Sequence, residues 1–532
     1  MKHILLFFNL SIYFSNITFA QSPQIKWWYD VLDSSFGQSA AGDIDNDGKL
    51  EVVFGCYRND SSVYALNAED GTLLWRQNTR NPFGGGCNDV AIALYDIDGD
   101  DSLEVIVPSS CNANTFCFRG KSGEIQWKTQ TAGSDSPPTL ADIDHDGKIE
   151  ILHGGFDGHV MCFNSEDGSV AWNKPILSNC WIQTAPTIVD LNMDGELDFV
   201  VGTWAFGIDT NYMYAYTANT QKLLWSKRLD NHMYNGTATA DIDEDGKPEL
   251  IFGDYNGILH ALNGEDGSTL WEYKASFYIG APATIADLDR DGHCEIIFCD
   301  AYGVGALNKD GKSIWYYTIP DVATAFRGVA VADINGDDMP DVVFGSSKGR
   351  LTVLNGIDGS LIWDLDLAKH IGKLFDIDHA PLIADFDNDG TIDIFIVGGN
   401  TDYPDFSKNY GRAYMISAGA GKGPDWLMFQ HDLRRQSNLC EMSISSTISN
   451  NQKETFHIYP NPSGNYFEIE SKETGIAEIR NLTGTLLQKV KINTLKTSVS
   501  AGNLTSGVYF VFLKTSKGES VPYDPQKTDT EQ

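Results

Sequence analysis

One short acidic phrase recurs eight times in this 532-residue chain, and its spacing constrains the fold more than any other feature. The phrase is Asp-x-Asp/Asn-x-Asp-x-x-x-Asp/Glu, and consecutive copies begin 46 to 53 residues apart. The copies are Asp43, Asp45, Asp47 and Glu51; Asp96, Asp98, Asp100 and Glu104; Asp142, Asp144, Asp146 and Glu150; Asp190, Asn192, Asp194 and Asp198; Asp241, Asp243, Asp245 and Glu249; Asp287, Asp289, Asp291 and Glu295; Asp333, Asn335, Asp337 and Asp341; Asp385, Asp387, Asp389 and Asp393. Self-similarity at this period indicates an array of equivalent supersecondary units.

The acidic phrase has the composition of a calcium loop. Oxygen ligands on alternate residues of a tight turn can converge on one hard cation, and calcium accepts about six to eight of them, whereas zinc prefers cysteine and histidine. Six copies have glycine at the sixth position, which permits a sharp turn. Copies two and seven instead have Gly99 and Gly336 at the fourth position and Asp101 and Asp338 at the sixth, so we expect these two loops to turn differently. The phrases together predict up to eight structural Ca²⁺ ions.

Two other interpretations of the phrase are possible. An EF-hand would need an acid at position twelve and a helix on each side. Position twelve is never acidic here, and the residues that follow each phrase form short β-branched or aromatic runs, which are typical of strands. The acids could also be solvated turn residues, because Asp and Gly are common in turns. That alternative stays open for any single copy, but eight copies in register favour metal ligands.

The negative charge of the chain is concentrated in these phrases. The eight nine-residue windows hold 34 acids and 4 bases, a net charge of −30 out of −35 for the whole chain. Carboxylates about 4 Å apart repel each other by roughly 1 kcal/mol per pair in water. Bound divalent cations would relieve this repulsion, so the acidity needs no basic partner and argues against nucleic acid as a ligand.

Each repeat also contains four short runs that are typical of strands. An apolar segment precedes the phrase, a β-branched run follows it and often ends in Phe-Gly, and a third run comes after a loop. A turn usually built on Asp-Gly, a strong hairpin signal, then introduces a fourth run that ends in tryptophan. Four antiparallel strands repeated radially predict an all-β fold, an eight-bladed β-propeller of four-stranded antiparallel blades over residues 21–440. The last unit is irregular around Trp426, so we expect the segment 26–29, with Trp28 in the tryptophan position, to close the last blade.

These residues resemble a known family. The acidic loops, the Phe-Gly pairs and the triplet 280–282 (Gly-Ala-Pro) are similar to FG-GAP or VCBS-type repeats, the units of the integrin α-chain propeller. The Leu-Asn, Asp-Gly and Trp elements resemble the tryptophan repeat of quinoprotein-type propellers. The resemblance covers about residues 26–440 and implies a calcium-binding propeller. Propellers of this kind serve adhesion, ligand binding, scaffolding and sometimes polysaccharide cleavage.

Both ends of the chain carry signals that predict export. Residues 1–20 have a basic start and an apolar run before Gln21, which predicts a secretory signal peptide. No other segment approaches the roughly 18 apolar residues of a membrane span, so we expect no transmembrane segment. Residues 441–455 are rich in Ser and Asn and predict a linker, followed by a small C-terminal β-sandwich at 456–520 and an irregular tail at 521–532.

The C-terminal part resembles the sorting domain of the type IX secretion system of Bacteroidota. The matching residues lie at 459–462, 481–484 and 504–510. The resemblance implies the type IX secretion machinery as a partner and a secreted or outer-membrane-surface location. The family usually ends in a basic strand, whereas residues 522–532 are polar and irregular. Whether this C-terminus supports export therefore stays an open question. A small accessory β-sandwich is the alternative interpretation.

Nine cysteines in an exported chain permit disulfides and leave at least one thiol unpaired. Cys294 and Cys299 would lie about 16 Å apart along one strand, too far to pair with each other. Loops on the same side of one blade carry Cys87 and Cys111, which could form a bridge. Other cysteines, such as Cys117, fall within third strands and predict buried thiols. The chain has no Cys-Cys dipeptide of the quinoprotein-dehydrogenase type.

Propeller geometry places the acidic loops on one face, so the other loops share the opposite face. Loops on a rigid scaffold are where binding usually occurs. The candidate ligand-binding residues of that face are Trp181, Trp204, Tyr212, Tyr234, Tyr255, Tyr278, Tyr302, Arg327 and His379. Four further residues, Tyr57, Arg58, Phe83 and His232, share the face. Planar rings there could stack on sugars or on a partner's side chains, although any one of them could simply cap the end of a blade.

The sequence as a whole favours an exported, calcium-stabilised β-propeller that acts as a cell-surface or secreted binding or adhesion module for a glycan or a protein. The chain lacks GxSxG, HExxH and phosphate-loop motifs. A lyase-like, polysaccharide-degrading enzyme with its site on the aromatic face is the alternative, since acid–base catalysis needs two suitable groups close together. A quinone-dependent dehydrogenase is the third possibility, and whether the chain is an enzyme stays open.

Overall fold

The computed structural model describes residues 22–82, 85–206 and 211–440, together with seven strands of the C-terminal part. The chain divides into two compact units, Met1–Ser443 and Ile444–Gln532. The expected signal peptide (1–20), linker (441–455) and tail (521–532) lie outside the described residues, as does Phe83.

The first unit is an eight-bladed β-propeller, as the repeat predicts, and every blade is a four-stranded antiparallel sheet. The strands of blades one to four, innermost first, are β2 Ala40–Gly42, β3 Glu51–Gly55, β4 Ser62–Asn67 and β5 Leu73–Asn78; β6 Ala93–Tyr95, β7 Glu104–Pro108, β8 Asn114–Phe118 and β9 Ile125–Gln130; β10 Thr139–Ala141, β11 Glu150–Gly154, β12 His159–Asn164 and β13 Val170–Pro175; β15 Thr187–Val189, β16 Asp198–Gly202, β18 Asn211–Thr217 and β19 Leu223–Leu229. A two-stranded ribbon, β14 Cys180–Trp181 and β17 Trp204–Ala205, accompanies blade four.

The other four blades repeat this arrangement. Their strands are β20 Ala238–Ala240, β21 Glu249–Gly253, β22 Ile258–Asn263 and β23 Thr269–Lys274; β24 Thr284–Ala286, β25 Glu295–Asp300, β26 Gly303–Leu307 and β27 Ser313–Thr318; β28 Ala330–Ala332, β29 Asp341–Gly345, β30 Arg350–Asn355 and β31 Leu361–Asp366; β32 Leu382–Ala384, β33 Ile392–Asn400, β34 Tyr410–Gly419 and β1 Gln24–Val31. The described helices are the short α1 Leu367–Ile371 after blade seven and two 3₁₀ turns, Pro320–Val322 and Phe406–Lys408.

The burial pattern explains why each strand has its composition. The innermost strands have only three residues, all of them buried except Tyr95, and the second strands are buried along nearly their whole length. Both faces of a second strand pack against neighbouring blades, which suits continuous runs such as Glu51–Gly55. The outermost strands alternate exposed and covered residues, because only their inner side has a neighbour.

The tryptophan of each outer strand joins its blade to the next one. Trp75 lies flat on Gly123, the glycine of the Ser-Gly turn that takes the place of Asp-Gly in blade two, so closely that a Cβ there would meet the indole at 2.6 Å. Its Nε1 donates a hydrogen bond to the carbonyl of Gly120 in the same turn. Blade four shows the dependence on glycine: its turn has Gln221 in that place, and the Nε1 of Trp172 has no hydrogen-bond partner. The recurring Asp-Gly and Trp elements are therefore the two halves of one inter-blade contact.

The N-terminal strand closes the ring, as expected, but the tryptophan that does so is Trp27 and not Trp28. β1 pairs with β34, and a bulge at Lys26 sets the register so that Trp27 lies opposite Met415. Trp27 is 8% exposed, packs on Gly71 and donates to the carbonyl of Ala68 in blade one at 2.8 Å. Trp28 points outward and is 51% exposed. The prediction was off by one residue because two tryptophans are adjacent in the sequence and only the pairing of β1 with β34 distinguishes them.

Residues 422–440, which we call the central segment, fill the channel of the propeller. The irregular run around Trp426 is part of this segment and not a blade strand. Its backbone pairs in turn with the innermost strands of the blades: Gly423 with blade seven, Trp426 with blade eight, Met428 with blade one and Asn438 with blade six. Further backbone bonds reach Leu140, Ile188 and Thr239 of blades three to five. The segment thus makes one full circuit and contacts the blades from inside.

Arg435 holds the central segment from within. Its guanidinium is fully buried and donates to the carbonyls of Pro138, Ile92 and Phe429 at 2.9, 3.3 and 2.5 Å. Burial lowers the pKa of Arg435 to about 10, which Asp432 partly opposes. The contacts to Ile92 and Pro138 connect the segment to the approaches of blades two and three.

Two disulfides form among the described cysteines. The expected bridge between Cys87 and Cys111 is present. The second joins Cys294, in the acidic loop of blade six, to Cys440 at the end of the central segment. The other five cysteines are buried free thiols, as predicted for those in third strands.

The C-terminal unit consists of two antiparallel sheets. Its strands are β35 His457–Tyr459, β36 Tyr466–Glu470, β37 Gly475–Arg480, β38 Leu486–Ile492, β39 Lys496–Ser500, β40 Phe510–Thr515 and β41 Gly518–Glu519. One sheet has the order β35-β36-β39 and the other β38-β37-β40-β41. Both contribute to one buried cluster that includes Phe467, Ile479 and Val511, which is the expected sandwich arrangement.

Candidate functional site

The eight acidic loops connect the first and second strands of their blades and share one backbone turn. In six loops the fourth and sixth residues have positive φ, for example Asn46 at 61° and Gly48 at 87°. Loops two and seven do the same with the residue types exchanged: Gly99 and Asp101 have φ of 76° and 69°. The expectation that these two loops turn differently was wrong, because aspartate tolerates the left-handed region that glycine occupies elsewhere.

The first acid of each loop shapes the turn. In blade one, Asp43 accepts hydrogen bonds from the backbone N–H groups of Asp47 and Gly48 at 3.0 and 2.9 Å. The bond from the sixth residue recurs in loop two, where Asp101 donates to Asp96 at 3.1 Å. These bonds bend the chain so that the remaining carboxylate oxygens face one point.

The last acid of each loop is buried at the start of the second strand. Glu51 is 1% exposed and Asp198 is fully buried. In blades one to seven this acid accepts a backbone hydrogen bond from the second residue of its loop, as Glu51 does from Ile44 at 3.0 Å. Burial, together with the neighbouring carboxylates, raises the pKa of Glu51 to about 8 and that of Asp198 to about 7. A buried, negatively surrounded carboxylate is unfavourable unless a cation lies beside it.

The donor set fits a hard divalent cation. In several loops three acids, such as Asp43, Asp45 and Glu51, can bring one oxygen each within 4.8 Å of the others. One carboxylate oxygen is buried without a hydrogen-bond partner in six loops, at Asp45, Asp142, Asp198, Asp241, Asp341 and Asp387. Convergent oxygens with unused lone pairs are what calcium coordination requires. The residues that would hold each ion are the four acids or amides of the phrase.

The loop of blade eight differs, because a lysine already lies among its carboxylates. The Nζ of Lys26 contacts Asp387, lies 3.4 Å from Asp389 and 3.1 Å from Asp393, and is mostly buried. Lys26 is the bulged residue just before Trp27. In the other seven blades the equivalent residue is uncharged: Leu74, Gln126, Ala171, Leu224, Leu270, Ile314 or Ile362. The strand that closes the ring therefore also brings a positive charge to this loop.

On the opposite face, several of the expected residues form one continuous row of rings, which we call the aromatic shelf: Trp181, Trp204, His232, Tyr234, Tyr255, Tyr278 and Phe326. Trp204 stacks on His232 with centroids 4.0 Å apart, and His232 lies 4.1 Å from Tyr255. All of the shelf residues keep part of their surface exposed. The rings come from the ribbon of blade four, from the β21–β22 turn of blade five and from the connections that link blades four to seven, all of which meet on this face.

A buried ion pair borders the shelf. Arg327 donates to the hydroxyl of Tyr234 at 3.0 Å, and its Nε lies 3.4 Å from a carboxylate oxygen of Asp378. Its guanidinium also lies 5.2 Å from the ring centre of Tyr234 and 5.6 Å from that of Phe326. Burial raises the pKa of Asp378, and Arg327 opposes that shift. Arg327 therefore fixes the inner end of the shelf, and its charge is largely used within the protein.

Three of the nine expected ligand residues lie apart from the shelf. Tyr212 packs on Tyr214 along strand β18, and Tyr302 meets the exposed ring of Phe277. His379 is buried, and its Nε2 contacts the backbone N–H and hydroxyl of Ser39. Burial lowers the pKa of His379 to about 3, so it is neutral and serves the packing of blades one and eight.

Sequence reasoning missed two contributors to this region, Phe326 and Asp378. Phe326 directly precedes Arg327 in the connection between blades six and seven, after the 3₁₀ turn. Its position beside a predicted ligand residue could have identified it as a candidate. Nothing in the local sequence distinguishes Asp378 from other acids. Only the fold brings it to Arg327, which is 51 residues away.

Three family descriptions match parts of the chain. The FG-GAP-like repeat matches residues 18–107, and the secretion system C-terminal sorting domain matches 457–522. The description outer membrane protein assembly factor BamB matches 121–281, 157–337 and 249–408. No helix within the described residues has the length and apolar character needed to cross a membrane.

Individual relatives are distant. The rhamnogalacturonan exolyase YesX of Bacillus subtilis (strain 168) is 22% identical over 401 residues, which cover 66% of this chain and 57% of that protein. Quinoprotein ethanol dehydrogenase of Pseudomonas putida is 28% identical over 164 residues, covering 28% of this chain and 25% of that protein. The chain spans less than two thirds of the length of the curated relatives it matches.

A solved structure supports the fold alone. The biofilm matrix protein Bap1 of V. cholerae superposes with a TM-score of 0.56 at 16% identity, covering 76% of this chain and 94% of that one. Together with the eight four-stranded blades, the repeat matches agree with the resemblance seen in the sequence. The chain is therefore an FG-GAP-like repeat β-propeller with quinoprotein-like tryptophan repeats, and it carries a type IX secretion C-terminal sorting domain that marks it for export.

Proposed function

We propose that this exported propeller is a non-catalytic binding module that recognises a glycan through the aromatic shelf. The observation that carries the proposal is the unbroken row of partly exposed rings from Trp181 to Phe326. Rings held by a rigid scaffold offer large flat surfaces at little entropic cost, as sugar stacking requires. The exposed edge of Tyr278 and the neighbouring ring of Phe277 extend the same surface outward.

Calcium has a structural role in this proposal. The loops of blades one to seven would each hold one Ca²⁺ ion through their convergent oxygens, and Lys26 would supply the positive charge in blade eight. The cations would neutralise the carboxylates at the start of each second strand. The loops would then fix the spacing between the first and second strands, and with it the positions of the loops on the opposite face.

A glycan-array screen of the full chain tests the binding role. We expect one or a few related glycans to bind, and Trp204→Ala to weaken that binding by about 2 kcal/mol, the cost typical of a central aromatic anchor. Trp28→Ala is the matched control, since Trp28 is an exposed tryptophan outside the shelf. Equal loss in both variants, or a loss in neither, would contradict a site on the shelf.

A second candidate function is cleavage of a polysaccharide by a lyase-type reaction. The observation in its favour is the alignment with the rhamnogalacturonan exolyase YesX over 66% of this chain. Tyr234 and Arg327 are the pair closest to such chemistry here, but Arg327 already bonds Tyr234 and faces Asp378. Incubation with soluble polysaccharides decides between the two functions, because new unsaturated ends would establish an enzyme and unchanged chains would support a binder.

A further inference from the structure

A concave surface separate from the aromatic shelf lies on the same face, between blades seven and eight. It is a cleft of about 580 Å³, formed where α1 and the residues after it meet the β29–β30 turn and the end of β33. Its volume lies within the range of sites that hold small ligands or short stretches of a polymer. The short helix α1 interrupts the repeat only in this connection, so the cleft is specific to this pair of blades.

The cleft is lined by three lysines, Lys348, Lys369 and Lys373. They come from two separate loops and are all exposed. Among the described residues, none of the three ammonium groups forms an ion pair with a carboxylate, although the backbone N–H of Lys369 donates to Asp366 at 2.7 Å. In a chain with a net charge of −35, three exposed lysines around one cleft are unusual, and only Lys348 has a longer-range acidic neighbour there, Asp376. Their unpaired charges make the cleft a local site of attraction for anions.

The floor and wall of the cleft add polar and apolar contacts. Asp376 lies at the floor, where its backbone pairs with Gly399 and one carboxylate oxygen is buried without a hydrogen-bond partner. Leu374, which is 75% exposed, forms part of the wall. The Nζ of Lys373 lies 4.3 Å from the ring centre of Tyr410. An anion with hydroxyl groups could thus meet ammonium groups and an apolar surface together.

The cleft is connected to the aromatic shelf by a short chain of contacts. Asp376 and Asp378 lie two residues apart on one connection, and Asp378 pairs with Arg327. Arg327 in turn donates to Tyr234 of the shelf. These contacts hold the cleft and the shelf in a fixed relation to each other.

We infer that the cleft binds an anionic polysaccharide, one whose sugar units carry carboxylate or sulfate groups. The inference rests on the proposed glycan-binding function and names its ligand class. Lysine ammonium groups suit isolated anionic groups, which they meet as point charges. Nucleic acid is disfavoured, because its dense charge, about one phosphate per 1.7 Å of duplex, needs a long basic surface, and the chain as a whole is strongly acidic.

Binding of defined polymers to the full-length protein tests the inference. The probes are polygalacturonate for carboxylate, dextran sulfate for sulfate, neutral dextran, and single-stranded DNA as a different polyanion. The double variant Lys369→Glu/Lys373→Glu reverses two exposed charges beside the cleft. Lys121→Glu/Lys312→Glu is the matched control, with two exposed lysines reversed in turns on the opposite face.

At low salt we expect one of the two anionic polysaccharides to bind, and the cleft variant to weaken that binding about tenfold or more while the control changes it less than about twofold. An equal loss in both variants, or equally tight binding of DNA, would overturn the inference. Binding of neutral dextran with no preference for the anionic polymers would overturn it and leave the glycan-binding proposal intact. Failure to bind any polysaccharide would contradict both. Unchanged thermal melting of each variant confirms that the fold is kept.

Discussion

The closing tryptophan offers the sharpest test of how the ring is held together. Trp27 and Trp28 are adjacent in sequence, yet one is buried between blades eight and one and the other is half exposed. Replacing each with alanine therefore separates a contact that closes the ring from one that does not.

The magnitude follows from what each side chain touches. Trp27→Ala removes a buried indole, which typically costs about 3–5 kcal/mol, and leaves the carbonyl of Ala68 without its donor. We expect a total loss of about 4–6 kcal/mol, a large part of the roughly 5–15 kcal/mol that stabilises an ordinary domain. Trp28 contacts Arg412 and His370 at the surface, so Trp28→Ala should cost about 1 kcal/mol or less.

Urea unfolding of the full-length variants, followed by intrinsic fluorescence and circular dichroism, measures both losses. Trp27→Phe is a useful intermediate, because it keeps an aromatic ring but removes the N–H donor and part of the buried indole, and it should cost about 2–3 kcal/mol. If Trp28→Ala destabilised the protein as much as Trp27→Ala, the register of β1 and the account of ring closure would be refuted.

Three further outcomes follow from the structure. Arg435→Ala should destabilise the propeller by about 3 kcal/mol or more, because three carbonyl groups lose their hydrogen-bond donor. The neighbouring residue Arg434 is exposed, so Arg434→Ala should cost less than about 0.5 kcal/mol, and urea unfolding compares the two variants. Burial and, to a smaller extent, the charge of Asp378 raise the pKa of Asp376 to about 7. The contribution of the protonated carboxyl group to the free energy of unfolding is therefore complete below about pH 4 and is lost as the pH rises through 7. Asp376→Asn should therefore stabilise the protein by about 1–3 kcal/mol at pH 8 but not at pH 4, which thermal melting at the two pH values measures. An equal change in melting temperature at pH 8 and pH 4 would contradict the raised pKa of Asp376. Non-reducing peptide mapping should recover Cys440 linked to the acidic loop of blade six, and a free thiol there would show that the central segment is not tethered.

The architecture was predictable because it depends on short patterns that recur. The period of the acidic phrase gave the number of blades, and the Asp-Gly turn with its tryptophan gave the third and fourth strands. Each of these signals is local, and each is repeated often enough to outweigh individual irregularities such as Gln221 in blade four.

What the sequence could not show depends on register and on distant contacts. The pairing of β1 with β34 makes Trp27 and not Trp28 the closing tryptophan, and it places Lys26 among the acids of blade eight. Asp101 and Asp338 adopt the left-handed backbone conformation that glycine adopts at the sixth position of the other loops. The central segment follows no periodic pattern, because each of its residues meets a different blade.

The candidate binding face was predicted in part. Topology alone placed the rings on the correct side of the propeller, since loops alternate between its two faces. Which rings touch depends on the lengths of the connections, so the shelf gathered Trp204 and Tyr255 but left Tyr212 and His379 elsewhere. The lysine cleft depends on α1, whose five residues are too few to give a helical pattern.

Calcium content is the most direct test of the account. Purified full-length protein is dialysed against micromolar calcium and analysed by elemental mass spectrometry. It should retain one calcium ion in the acidic loop of each of the seven blades whose outer strand has an uncharged residue at the bulge. Lys26→Gln should bind one ion more, since it frees the carboxylates of blade eight. Chelation should lower the melting temperature of both proteins. Negligible calcium in the purified protein, together with a melting temperature that chelation does not change, would contradict the central claim that these loops are cation sites.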